Sequence, residues 1–315
     1  MRATAVVASI LIGVSVAALI AYFILERMKN KTIFNPRSKV VWVPAQNTYS
    51  NLYFTSSSGN RLNGWLFNTY PDRPVILYCH GNFGNMSYRK IFVEIADILH
   101  CNIFMFDYSG YGNSSGSPSL INLREDSLSA FEYLRRYYKD EDIIVWGKSL
   151  GGYAALTIAA EYPTVKGVLI CSTFSTFDMI ISEQGIKAAV MRFLIRKFTD
   201  CVPTNQELIQ RISSKNSNGT DHNAVPITIM HSTDDDFIPY SNGLDLNDNC
   251  TVKCSFVPIK GGHASPYITL ESFVSSLLHI GTPLPVTDEQ SAAELLDNLQ
   301  VQLSKLPMIK SMLDL

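Results

Sequence analysis

The stretch "IIVWGKSLGGYAA", residues 143–155, decides how this chain folds. It admits two readings. Gly147-Lys148-Ser149 matches the end of a phosphate-binding loop, while Gly147, Ser149 and Gly151 form Gly-x-Ser-x-Gly, the turn that presents a nucleophilic serine. The phosphate loop needs a glycine at position 142, where Asp142 stands in the acidic run Asp140-Glu141-Asp142. A carboxylate there would repel phosphate. The nucleophile turn needs a strand, a tight bend and a helix. Ile143 to Trp146 are a short apolar run, as in a strand buried on both faces. Ala154, Ala155, Ile158, Ala159 and Ala160 suit a close-packed helix, and small residues at 147, 151 and 152 permit a strained turn.

Similar apolar runs lie on both sides. Leu52-Tyr53-Phe54 and Leu62 to Phe67 flank the turn residues Ser56–Asn60, a hairpin pattern. Val75–Cys79, Ile103–Asp107, Gly167–Cys171, Ile227–His231 and Thr251–Ile259 read as further strands. Helical spacing falls between them, at Ile91–Leu99 and Leu120–Tyr138. Strands alternating with helices imply an α/β fold with a mainly parallel sheet and helices on both faces. The sheet domain is expected over 49–283, interrupted by a small helical cap over 173–224. Such an insertion would lie over the carboxyl ends of the strands. Residues 284–315 carry a leucine stripe and read as a C-terminal helical tail, whose apolar side would pack on the domain, touch a membrane or meet a partner, packing being the commonest fate of such a stripe.

Composition narrows the function classes. A net charge of −2 over 315 residues argues against a nucleic-acid partner. The six cysteines show no zinc spacing, and the serine chemistry read below requires neither a metal nor an organic cofactor; Cys250 and Cys254 are close enough in sequence for a disulfide to be considered. Ala3 to Leu25 holds no charged residue, and as a helix it would span about 35 Å. That is enough for a single-pass transmembrane anchor within residues 1–28. It ends in Tyr22-Phe23-Ile24-Leu25 rather than small residues, unlike a cleaved signal peptide. A basic linker follows over 29–48. Arg27, Lys29, Lys31, Arg37 and Lys39 outnumber the charges before the span, which favours a cytosolic catalytic domain over a lumenal or extracellular one. Five Asn-x-Ser/Thr sequons, beginning at Asn30, are close to chance for such a chain.

A serine hydroxyl is a weak nucleophile until a base takes its proton and a carboxylate orients that base. Downstream of Ser149 lies "HSTDDDFIPY", where Asp235 is the candidate acid, Asp234 and Asp236 its rivals and Asp178 a remoter one. His263 follows in "KGGHAS", after the last strand. Backbone N–H groups of Leu150 and Asn82 are candidates for an oxyanion hole. His80 is read as holding the turn after its strand, and Asp107 with its glycines as shaping another.

With "RLNGW" (61–65), "HGNFGN" (80–85) and "DYSGYGNSSG" (107–116) added, the chain resembles the α/β-hydrolase family over roughly residues 50–282. Its nearest likeness is to the membrane-anchored type 13, or Bem46-like, branch of α/β-hydrolase domain-containing proteins, with type 17 depalmitoylases as neighbours. The resemblance implies Ser149 as nucleophile, Asp235 as acid and His263 as base. Ser109 and Ser232 depart from the family pattern, which has arginine and glycine there. The implied activity is hydrolysis of an acyl ester or thioester, lipid-like if the anchor confines the enzyme to a bilayer. A non-catalytic membrane adaptor and a serine peptidase acting on short peptides are the alternatives.

Overall fold

A computed structural model of the chain describes residues 2–180, 189–190, 192–193, 202–215, 225–251, 253–264 and 270–281. The chain begins with α1 (Arg2–Ile33) and a two-residue strand β1 (Asn35–Pro36). The hairpin β2 (Ser50–Thr55) and β3 (Arg61–Phe67) follows, then β4 (Val75–Cys79) and the short β5 (Phe83–Gly84). Next come α2 (Lys90–Ile98), β6 (Asn102–Phe106), α3 (Leu120–Leu134), β7 (Ile143–Lys148), α4 (Leu150–Glu161) and β8 (Gly167–Cys171). The chain continues with α5 (Asn205–Lys215), β9 (Ile227–Ser232), α6 (Ser241–Asp248), β10 (Cys254–Ile259) and α7 (Leu270–His279).

Eight strands form one sheet in the order β10-β9-β8-β7-β4-β6-β3-β2. β2 and β3 pair antiparallel, as does β3 with β6; every other pairing in that sheet is parallel. The central strands are buried on both faces, which explains their unbroken apolar runs. Period-2 alternation divides their side chains between two cores. Val75, Leu77, Ile143 and Val145 pack with Leu123 and Phe131 of α3, with α4, and with Leu208 and Ile209 of α5. Ile76, Tyr78, Ile144 and Trp146 face the other way, with Ala96 of α2 and Leu277 of α7.

α4 can lie this close to the sheet because its buried face is glycine and alanine; every residue from Leu150 to Ala160 is buried. Two elements differ from the sequence reading by a turn. α3 ends at Leu134 rather than at Tyr138, and β10 starts at Cys254 rather than Thr251. Cys250 and Cys254 are not joined by a disulfide; their side chains interact as thiols.

α1 runs five residues past the expected end of the anchor at 28. Of its described side chains, Leu11, Ile12, Val14, Phe23 and Ile24 each expose more than half their surface. Among the described residues no helix is long and apolar enough to cross a membrane. The expected transmembrane span therefore rests on the uncharged sequence run and not on the fold. Half of the cap expected over 173–224 and all of the tail at 284–315 lie outside the described residues.

Candidate active site

Ser149 occupies the turn between β7 and α4 with φ 54° and ψ −120°, a backbone state that residues other than glycine seldom adopt. Its N–H donates to the Cys171 carbonyl (2.9 Å), and Thr173 Oγ1 donates to the Ser149 carbonyl (2.7 Å). The flanking glycines are a packing requirement. A Cβ on Gly151 would lie 1.9 Å from the Cys79 carbonyl oxygen, and one on Gly147 would lie 2.1 Å from the Gly151 carbonyl oxygen.

The loops after β9 and β10 bring the other two candidates to this turn. His263 Nε2 stands 3.0 Å from Ser149 Oγ, and His263 Nδ1 stands 2.9 and 3.1 Å from the two carboxylate oxygens of Asp235. Asp235 is fully enclosed, while His263 keeps 17% of its side chain exposed. Burial alone would raise the Asp235 pKa. The hydrogen bond and charge of His263, with N–H bonds from Ile238 (2.7 Å) and Phe237 (3.0 Å), outweigh burial and hold it below the usual carboxylate range.

The rivalry among three consecutive acids resolves into three separate contacts with one loop. Asp234 Oδ2 accepts the Gly261 N–H (3.4 Å), Asp235 faces the imidazole, and Asp236 Oδ1 accepts the His263 N–H (2.9 Å). Asp178 is elsewhere, capped by Thr176 Oγ1 at 2.7 Å. Ser232, noted in the sequence only as a departure from glycine, donates its hydroxyl to the Gly261 carbonyl and accepts the Asp234 N–H (3.2 Å), tying the two loops together. Lys148 Nζ donates to the Ala264 carbonyl (3.2 Å). Desolvation lowers this lysine's pKa to about 8. His231, behind Asp235, is buried and donates through Nε2 to the Ile238 carbonyl (3.0 Å); burial lowers its pKa, so it is neutral there.

Leu150 is the first residue of α4, and Asn82 follows β4 by three positions. The Cys79↔Gly147 register brings these two chain segments side by side, and a Cβ on Gly81 would lie 3.5 Å from Ser149 Cβ. Both candidate oxyanion donors therefore border the serine. His80 is buried between Tyr108 and Tyr111; its Nδ1 bonds the Gly81 carbonyl (2.7 Å), and its Nε2 sits 3.4 Å from Asp107 Oδ1 without hydrogen-bond geometry. Asp107 Oδ1 accepts the Met86 N–H (2.6 Å), so this aspartate braces the neighbouring 80–86 loop as well as its own turn. Ser109 is buried on Asp126, its N–H 2.7 Å from Oδ2 and its Oγ 3.0 Å from Oδ1. Burial pushes the Asp126 pKa up to about 6.

No group of metal-ligating side chains is found among the described residues. A cavity of about 310 Å³ lined by Trp42, Phe67, Tyr70 and Asp97 lies apart from Ser149 and touches none of the candidates.

Comparison with known proteins agrees with this architecture. Residues 74–200 match a family described by its α/β-hydrolase fold. YfhR of Salmonella typhi is 27% identical over 245 residues, covering 72% of this chain and 78% of that protein. Human α/β-hydrolase domain-containing protein 17B is 32% identical over 203 residues, 62% of each chain. Among solved structures, the Pyrococcus furiosus esterase Pf2001 superposes with a TM-score of 0.58 at 14% identity, covering 87% of this chain and 98% of that one. The type 17 neighbours of the sequence reading are thus found; the type 13 branch is not singled out. Strand order, serine turn and these likenesses lead to one assignment: the chain has the α/β-hydrolase fold.

Proposed function

We propose that the protein is a serine hydrolase that cleaves an acyl ester or thioester through an acyl-enzyme intermediate. One observation carries the reading: His263 bridges Ser149 Oγ at 3.0 Å and Asp235 Oδ2 at 2.9 Å. Asp235, ionised by its partners, fixes the tautomer with Nδ1–H toward itself and leaves Nε2 as the base. Ser149 donates its proton to Nε2 as Oγ attacks the acyl carbonyl, and Asp235 stabilises the imidazolium that forms. Negative charge collecting on the carbonyl oxygen falls to the Asn82 and Leu150 N–H groups. His263 protonates the departing alcohol or thiol. It then takes a proton from water, whose oxygen attacks the acyl carbon, and hands that proton to Ser149 Oγ as the acyl C–Oγ bond breaks, releasing the acid and restoring the serine. The chain's own residues supply every step.

The substrate is proposed as a lipid-like or acylated molecule presented at a membrane. The uncharged run Ala3–Leu25 and the exposed apolar side chains of α1 support a single-pass anchor. The basic flank supports a cytosolic catalytic domain. Labelling of the full-length protein by a fluorophosphonate tests the chemistry. Modification mapped to Ser149, absent from Ser149→Ala and His263→Ala, is expected. An unlabelled, folded parent in the presence of lipid would overturn the hydrolase reading in favour of the adaptor.

A further inference from the structure

The segment between α1 and the sheet reads as a linker in the sequence, yet it is built into the wall of the site. Ile33 and Phe34 are buried in the core. The Ile33 carbonyl, at the end of α1 where the helix itself supplies no partner, accepts Asn82 Nδ2 (3.2 Å). Asn35 N–H donates back to the Asn82 carbonyl (3.2 Å), and Arg37 N–H to the Gly84 carbonyl (3.0 Å). These bonds belong to a parallel β1–β5 ladder with Asn35 opposite Phe83 and Pro36 opposite Gly84. Asn85 then reaches across with its amide, donating to the Arg37 (2.8 Å) and Lys39 (2.9 Å) carbonyls. Val41 N–H closes the seam on Ser87 Oγ (3.0 Å).

We propose that residues 33–41 are a positioning strap for the oxyanion hole, holding the 82–87 loop so that the Asn82 N–H points at the developing charge. The inference rests on the hydrolase reading above. Asn82 is fixed by the strap through both its side chain and its carbonyl, so its backbone has little freedom to turn the N–H away. The end of α1 and the transition-state donor thereby form one hydrogen-bonded piece. A substrate docking against the end of α1 would meet the donor it needs without a flexible linker between them.

The test uses the full-length protein and a matched pair of buried asparagines. In Asn85→Asp the acceptor for Ser87 is kept, but the two donors to the strap are replaced by a carboxylate oxygen facing carbonyls. Asn102 holds another loop in the same manner: Nδ2 donates to the Tyr70 and Arg73 carbonyls and Oδ1 accepts the Tyr70 N–H, but it does so at the amino end of β6. Steady-state hydrolysis of a short acyl ester is measured beside thermal unfolding. Asn85→Asp is expected to lower kcat by about 10- to 100-fold with KM within about twofold, because the misplaced donor acts in the transition state. Asn102→Asp is expected to lose similar thermal stability with kcat unchanged. Ser87→Ala, a milder cut that removes the Val41 acceptor, is expected to lower kcat severalfold and serves if Asn85→Asp does not fold. Unchanged kcat in both strap variants, with Ser149→Ala inactive, would overturn the strap alone, as would an equal fall in kcat for Asn102→Asp. Turnover that survives Ser149→Ala would overturn the hydrolase reading and the strap with it.

Discussion

Exchanging Asp235 for asparagine should silence the site while leaving the fold in place, and the hydrogen bonds around it say why. Asp235 Oδ1 accepts backbone N–H groups of Phe237 and Ile238 at 3.0 and 2.7 Å. An amide NH2 cannot occupy that position, because donor would face donors. The substituted amide is therefore locked with its carbonyl on the two N–H groups and its NH2 toward His263 Nδ1. The imidazole must then accept at Nδ1 and carry its proton on Nε2, where it faces Ser149 Oγ and can no longer act as base. The same wrong-tautomer exchange in a serine triad costs about 10⁴-fold in kcat, about 5.4 kcal/mol of barrier. Asp236→Asn is the contrasting variant. Its carbonyl can still accept the His263 N–H now held at 2.9 Å, so the loss should stay below about tenfold. Both are read by initial rates on a chromogenic acyl ester at about pH 8, above the ordinary histidine pKa, with circular dichroism to verify folding. A kcat for Asp235→Asn within about tenfold of the parent, or a larger loss in Asp236→Asn, would refute the assignment of the acid.

Gly151→Ala places a methyl 1.9 Å from the Cys79 carbonyl oxygen, so α4 must retreat from β4. A loss of about 2–3 kcal/mol, a fall of about 4–12 °C in Tm for a domain of this size, should accompany loss of Ser149 labelling; an unmoved Tm would contradict the close helix–sheet approach. Lys148→Met tests the partly buried ammonium. The folded-state pKa of about 8 lies below the unfolded value, so the parent carries the full cost of burying the charge below about pH 8 and is relieved of it as pH rises toward 10.5. The Tm of the variant relative to the parent should therefore be most favourable near about pH 7 and decline toward about pH 10; a difference independent of pH would refute this.

The central strands were legible because burial on both faces leaves an apolar run that no other element of that length explains. The serine turn was legible because its steric demands fall on neighbours in sequence, Gly147, Gly151 and Gly152. The acid was less so. Asp234, Asp235 and Asp236 differ by one position, and their partners, the Gly261 N–H, the His263 ring and the His263 N–H, lie on another loop. A local clue was present in the Asp-x-x-Ile spacing, since an aspartate that accepts N–H groups two and three residues on is fixed in orientation. The strap over 33–41 left no such mark. Two paired residues carry no hydrophobic period, and its bonds to Asn82, Gly84 and Asn85 are long-range. Lys148 and Ser232 were hidden for the same reason: each reaches a carbonyl far along the chain, at Ala264 and Gly261.

The three-acid turn behind His263 also bears on how a reaction cycle would close. Acyl transfer to water leaves a carboxylic acid that ionises at neutral pH beside Ser149. Asp235 is buried against the imidazole, and Asp234 is offset by Lys260 Nζ at 3.6 Å on the outer side. The product anion of the proposed reaction would thus form in front of Asp235, a carboxylate of its own sign whose charge is no longer balanced once the imidazole has given up its proton. If the proposed hydrolysis occurs, repulsion from the Asp235 carboxylate that orients the base would favour release of the acid once the acyl group has been transferred.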